Sequence, residues 1–153
     1  MGNGGSEELG PVKSAISSYR ELHVWQQAMD LAELCYRSTR SFPKEELYGA
    51  VTQIRRATAS IPANIAEGNG RENRGEYIQY LRIAQGSLKE LETHILLSRR
   101  VELIAREGAE HMLLSRRVEL IAREGAERML DRCEVVGKML RALIRSLQSK
   151  GRA

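Results

Sequence analysis

Apolar residues recur at steps of three and four along four stretches of the chain. From Tyr19, the row Leu22, Trp25, Met29, Ala32, Tyr36 and Thr39 advances by 3, 4, 3, 4 and 3. Such steps place side chains on one side of a helix. Val24, Ala28, Leu31 and Cys35 widen the row into the face a bundle helix needs. Ser41-Phe42-Pro43 stops this helix. Pro43 also suits the first turn of the next, with Glu45 and Glu46 near its positive end. The second row is Leu47, Val51, Ile54, Thr58, Ile61 and Ile65. Pro62 lies inside it and predicts a bend, because proline removes a backbone hydrogen bond. Gly68-Asn69-Gly70 ends the helix, with glycine free to take a left-handed cap. The third helix begins near Asn73 to Glu76 and carries Tyr77, Leu81, Ala84, Leu88, Leu91 and Ile95. The last carries Met129, Cys133, Val136, Leu140, Leu143 and Leu147.

Four amphipathic helices with short connections predict an all-α fold, an antiparallel up-down four-helix bundle over residues 19–148. Residues 1–18 are rich in Gly and Ser with no period and read as a flexible N-terminal tail. Residues 149–153 read as a C-terminal tail.

One segment occurs twice. Residues 94–110 read HILLSRRVELIAREGAE and residues 111–127 read HMLLSRRVELIAREGAE. Two adjacent, near-identical copies point to a recent or engineered duplication, since repeat folds need three or more diverging units. Seventeen residues turn a helix by about 1,700° and lengthen it by about 25 Å, leaving the apolar row about 100° out of phase. The extra copy therefore cannot extend a four-helix seam in register. It predicts one helix or a helical hairpin lengthened beyond the rest, with the turn near Leu103–Gly108 or near Leu120–Gly125.

The 153 residues allow one domain with a core that needs no staple. Long proline-free stretches rich in Leu, Ala, Arg and Glu favour helix. The formal charge is +4, carried by 24 basic residues, most of them Arg. Arg grips phosphate or carboxylate in two places at once. The excess is concentrated in residues 128–153, a basic last helix suited to nucleic acid or to solvation. Cys35 and Cys133 fall on apolar rows and read as buried, reduced thiols. The chain shows no signal-peptide pattern and no apolar run of about 18 residues, so a cytoplasmic protein outside the membrane is expected.

No catalytic constellation stands out. The histidines are His23, His94 and its copy His111, without metal-site spacing. Glu90 and Glu92 adjoin His94 but project in other directions, and Ser98 and Ser115 lack a base. The expectation is no enzyme activity, no metal, no cofactor and no small-molecule substrate. The candidates for function are cations. Arg55 and Arg56 sit in the second helix, and Arg71 and Arg74 at its junction with the third. Arg128, Arg132, Lys138, Arg141 and Arg145 follow one another along the last helix, where most can share a face. They suit either phosphate contact or ion pairing with Glu67, Glu72, Glu76 and Glu134. Leu34, Leu96, Leu97, Val101 and Ile144 lie off the main rows, which predicts a second buried contact between subunits.

Several motifs, in order, resemble one family. YRELHVWQQAMDL at Tyr19–Leu31, QIRRATASIPANIAEGNGR at Gln53–Arg71 and EYIQYLRIAQGSLKELETHI at Glu76–Ile95 are similar to the proteins encoded in 23S rRNA intervening sequences. The signature positions are Trp25, Asn64, Glu67, Gly68 and Arg71. Trp25 reads as core or subunit contact, and Asn64 and Glu67 as ties to the neighbouring loop. The resemblance implies a four-helix bundle that assembles as a homopentamer, with no assigned reaction. It also implies binding to RNA or DNA, directly or within a ribonucleoprotein. Two functions follow: a non-enzymatic oligomer that binds nucleic acid through Arg-rich surfaces, or a scaffold that docks a partner enzyme without touching nucleic acid.

Overall fold

Each of the four periodic stretches is helical in a computed structural model, which describes residues 18–42, 44–107 and 113–151, without the side chains of 102–122. Residues 1–17 of the expected tail over 1–18, the final residues 152–153, Pro43, Gly108 and His111 lie outside the described residues, as does the Ser115 side chain. Helix α1 spans His23–Ser38, α2 Thr52–Asn69, α3 Arg74–Glu107 and α4 Leu113–Ser149. They form an all-α bundle with no strand among the described residues. Each helix packs on two neighbours: α1 on α2 and α4, and α3 on α2 and α4. Ser60 meets Ser87, and Gly68 meets Tyr77 and Tyr80. Gly137 lies against Leu88, and Gly125 opposite Ser38.

The rows on α2, α3 and α4 are buried along most of their length, with Tyr77, Leu143 and Leu147 half-buried at the ends. Ile54, Ile61, Ile65, Leu81, Leu88, Leu91, Ile95 and Leu140 are the largest of their fully buried side chains. Helix α1 is rotated from the expected orientation. Its buried row is Val24, Ala28, Leu31 and Cys35, whereas Met29 and Tyr36 are exposed. Small side chains at positions 28 and 35 let α1 approach its neighbours closely. Trp25 and Tyr36 move to the rim, where an aromatic can pack on one side and face water on the other. Trp25 meets the Tyr19 ring edge-on, with centroids 5.3 Å apart. Ile144, expected at a subunit contact, is buried in the core, and Leu34 is half-buried against it.

The entry to α2 also differs. Residues 44–51 form two irregular turns, and Gly49 breaks the helix with φ −103° and ψ −111°. Leu47 is therefore about half exposed, and Tyr48 almost fully. Helix α2 runs through the buried Pro62 without interruption; its apolar face continues on both sides of the proline. Gly70 keeps right-handed angles, φ −77° and ψ −4°, so the expected left-handed cap does not form. The conformational need is at Gly68, where a Cβ would lie 2.8 Å from Tyr77 Cδ2 and Tyr80 Cβ. The chain re-enters helix at Asn73, whose Oδ1 accepts from the Gly75 amide at 2.7 Å and the Glu76 amide at 3.3 Å.

The duplicated segment lengthens both helices of one pair. Helix α3 has 34 residues and α4 has 37, against 16 and 18 in α1 and α2. Leu103–Glu107 is helical, and so is Leu120–Gly125, which removes the second expected position of the turn. Strong helix formers flank Gly125 and carry the helix through it. The first copy begins inside the core at Ile95, and the second ends there at Ala126.

The glycines give opposed expectations. Gly68→Ala should destabilise the bundle by about 1–3 kcal/mol through overpacking at α3. Gly86, in α3 with open space around its Cβ position, should gain about 0.5–1 kcal/mol as Ala. Urea unfolding of both variants checks the pair, and equal shifts would refute the close approach. The thiols give a second test. Burial pushes Cys35 up to about 11 and Cys133 to about 12 from an ordinary 9.0, with the Thr58 hydroxyl partly opposing the rise at Cys35. The unfolded chain releases these protons first. Their contribution is thus complete below about pH 9 and lost as pH rises toward 11 and 12. The urea midpoint should fall less steeply over that window in a Cys35→Ala, Cys133→Ala double variant.

Candidate nucleic-acid interface

The basic residues on α2 and at its junction with α3 are only partly free. Arg55 is half-buried. Its Nε donates to Thr39 Oγ1 at 3.0 Å, and its guanidinium lies 4.9 Å from the Tyr36 ring centroid. It ties the end of α1 to α2. Arg56, one residue on, is exposed. Arg71 donates to Glu67 Oε1 at 2.8 Å and to the Tyr80 hydroxyl at 2.7 Å, with its guanidinium over the Tyr80 ring. The Glu67 contact is the main cause that raises its already high pKa. Glu67 thus ties down the loop through Arg71, as expected. Asn64 does not reach that loop; its amide donates to the Ser60 carbonyl and hydroxyl.

The cations of α4 fall into two groups. At about 100° per residue, Lys138, Arg141 and Arg145 share one side of the helix, while Arg128 and Arg132 turn away from it. Lys138 pairs with Glu134 at 2.6 Å, which holds that carboxyl below its usual range. Arg132 donates to Gln27 Oε1 at 2.9 Å across to α1. Arg128, Arg141 and Arg145 have no carboxylate within ion-pair distance among the described residues. Arg74 lies at the end of α4: a Cβ on Gly151 would be 3.2 Å from its Nη1. A cation there also suits the negative end of a helix dipole. Arg141 turns back along α4, its Nη1 3.4 Å from where a Cβ on Gly137 would lie, and Arg145 Nε donates to the Arg141 carbonyl at 3.4 Å, so Arg74 alone is placed at the end of the bundle.

The opposite end holds a cleft of about 400 Å³ where α1 stops and the longer α3 and α4 continue. Arg37 from α1, Arg99 from α3 and Arg128 from α4 line it together. Sequence reasoning found Arg128 alone. Arg37 and Arg99 read as ordinary helix-surface residues, and only packing of the last turn of α1 against α3 brings them together. Arg37 ion-pairs with Glu33 on its own helix.

Little here resembles a catalytic centre. Against the expectation that it projects elsewhere, Glu90 shares a face with His94, one turn away, with Oε1 3.8 Å from His94 Nε2. The Ser98 hydroxyl donates to the His94 carbonyl. The described residues hold no group of three or more His, Cys, Asp or Glu placed to bind a metal ion. No described helix is long and apolar enough to cross a membrane.

The sequence of the chain matches a known family. The family model described as 23S rRNA-intervening sequence protein matches residues 20–113. No curated protein matches the chain. The matched span runs from the entry of α1 to the first residue of α4 and takes in Trp25, Asn64, Glu67, Gly68 and Arg71. It is not a known enzyme family. The chain belongs to the 23S rRNA-intervening sequence protein family.

Proposed function

We propose that this protein is a non-catalytic, cytoplasmic homo-oligomer that binds RNA or DNA backbones through arginine-rich surfaces. One observation carries the reading. Arg141 and Arg145 follow each other on the exposed side of α4, and neither has a carboxylate within ion-pair distance among the described residues. Guanidiniums without a carboxylate partner on a rigid helix suit phosphate oxygens, which accept from them two at a time. Such contacts position a backbone without reading its sequence. Arg55 and Arg71 serve the fold instead. A scaffold that docks a partner protein is the second reading. The exposed Leu96, Leu97 and Val101 on α3 favour it, as they favour self-assembly, for which the family resemblance suggests a pentamer.

Filter binding across a salt series tests the first reading. Affinity for single-stranded RNA or DNA should fall steeply with salt. An Arg141→Ala, Arg145→Ala variant should lose about 1.4–1.8 from the log–log slope. Arg55→Ala should keep the slope but lose about 1–3 kcal/mol of stability. Binding that ignores salt, or recovery of a partner protein with no nucleic acid, would overturn the reading. Light scattering checks assembly separately: Leu97→Glu should lower the mass to that of the free chain, and a wild-type monomer would refute it.

A further inference from the structure

The cleft at the end of α1 is built differently from the patch around Arg141 and Arg145. Its floor is apolar, with Leu34 and Phe42 from the α1 end and Met129 from α4. Phe42 is the only phenylalanine of the chain, and Met129 is buried. Its rim is cationic, with Arg37, Arg99 and Arg128 supplied by three different helices. Glu124 is the one carboxylate lining it among the described residues. Arg99 and Arg128 have no ion-pair or hydrogen-bond partner among the described residues, and Arg99 is half-buried. A guanidinium withdrawn from water without a partner is costly, and an anion in the cleft would offset that cost. Guanidiniums from three helices, with Arg37 exchanging its Glu33 partner, suit a phosphate with three free oxygens better than a planar carboxylate with two. The volume of about 400 Å³ lies in the range of small-ligand pockets, and exceeds what a phosphate alone would fill. An apolar floor bearing an aromatic ring suits a heterocycle.

We propose that this cleft binds one nucleoside monophosphate unit, its phosphate held by Arg37, Arg99 and Arg128 and its base laid on Phe42, Leu34 and Met129. The unit could come from a free nucleotide or from the phosphorylated end of a strand, and the chemistry recognised is the same. The assignment does not depend on the backbone patch around Arg141 and Arg145.

Isothermal titration of the full chain with AMP, adenosine and inorganic phosphate tests it, alongside short single strands ending in a 5′-phosphate or a 5′-hydroxyl. AMP should bind about tenfold or more tightly than adenosine, the measure of a charge-assisted hydrogen bond. Arg99→Gln and Arg128→Gln should each weaken AMP by about tenfold while circular dichroism shows the helices intact. Arg82→Gln, on the same helix but about 25 Å from Arg99, should leave AMP binding unchanged. Binding of AMP identifies a free nucleotide as sufficient. Arg99-dependent binding of the phosphorylated strand alone identifies a strand end; either upholds the proposal. Failure of both overturns it, as does inorganic phosphate binding as tightly as AMP. So does binding of both strands alike that is lost in Arg141→Gln, Arg145→Gln but kept in Arg99→Gln, a result that leaves the backbone patch standing.

Discussion

Burying one face of each helix fixes how far that helix can turn about its own axis. Ile54, Ile61, Leu88, Leu91, Val136 and Leu140 must all point inward at once. Once they do, every other residue on those helices has its direction set by the 3.6-residue turn. The arginines of α4 illustrate this. Met129, Cys133, Val136 and Leu140 face the core, so Arg128 and Arg132 turn toward α1 while Arg141 and Arg145 turn elsewhere. The division of basic residues into two groups follows from the apolar row.

The same constraint governs the duplicated segment. An insertion of 17 residues cannot keep the row in phase, so the bundle can accept it only where the row has ended. The described side chains fit this. Core burial on α3 stops at Ile95, near the start of the first copy, and resumes on α4 at Ala126, near the end of the second. The bundle thus takes the beginning of the segment from one copy and the end from the other, much as a single copy would supply both. Each copy carries three Arg and three Glu, so the extra length leaves the charge balance unchanged.

The helices were legible because their periodicity is strong and each long row has one solution. Helix α1 was not, because two adjacent rows were both apolar. The choice went to the row with small side chains, Val24, Ala28 and Cys35, since close approach of α1 outweighs burial of the larger Trp25 and Tyr36. No spacing rule weighs those terms. Gly68 was legible as a signature position but not as a contact, since its neighbours Tyr77 and Tyr80 lie on another helix. Arg55 stood out as a free cation, yet Thr39 and Tyr36 hold it. Arg37 and Arg99 drew no notice, because their significance lies wholly in tertiary packing.

The two basic regions ask different things of a ligand. Around Arg141 and Arg145 the guanidiniums stand on an exposed surface, where water already solvates them. Each phosphate contact there is shallow and readily screened, and any stretch of backbone would serve. In the cleft, Arg99 has left part of its hydration behind, and the floor beneath it is apolar. An anion that enters recovers more, since fewer waters compete for the guanidinium, and its attached group must fit the floor. Position within the bundle therefore separates one amino-acid type into an exposed, fully solvated surface and a cleft with an apolar floor, and the two proposals rest on that difference.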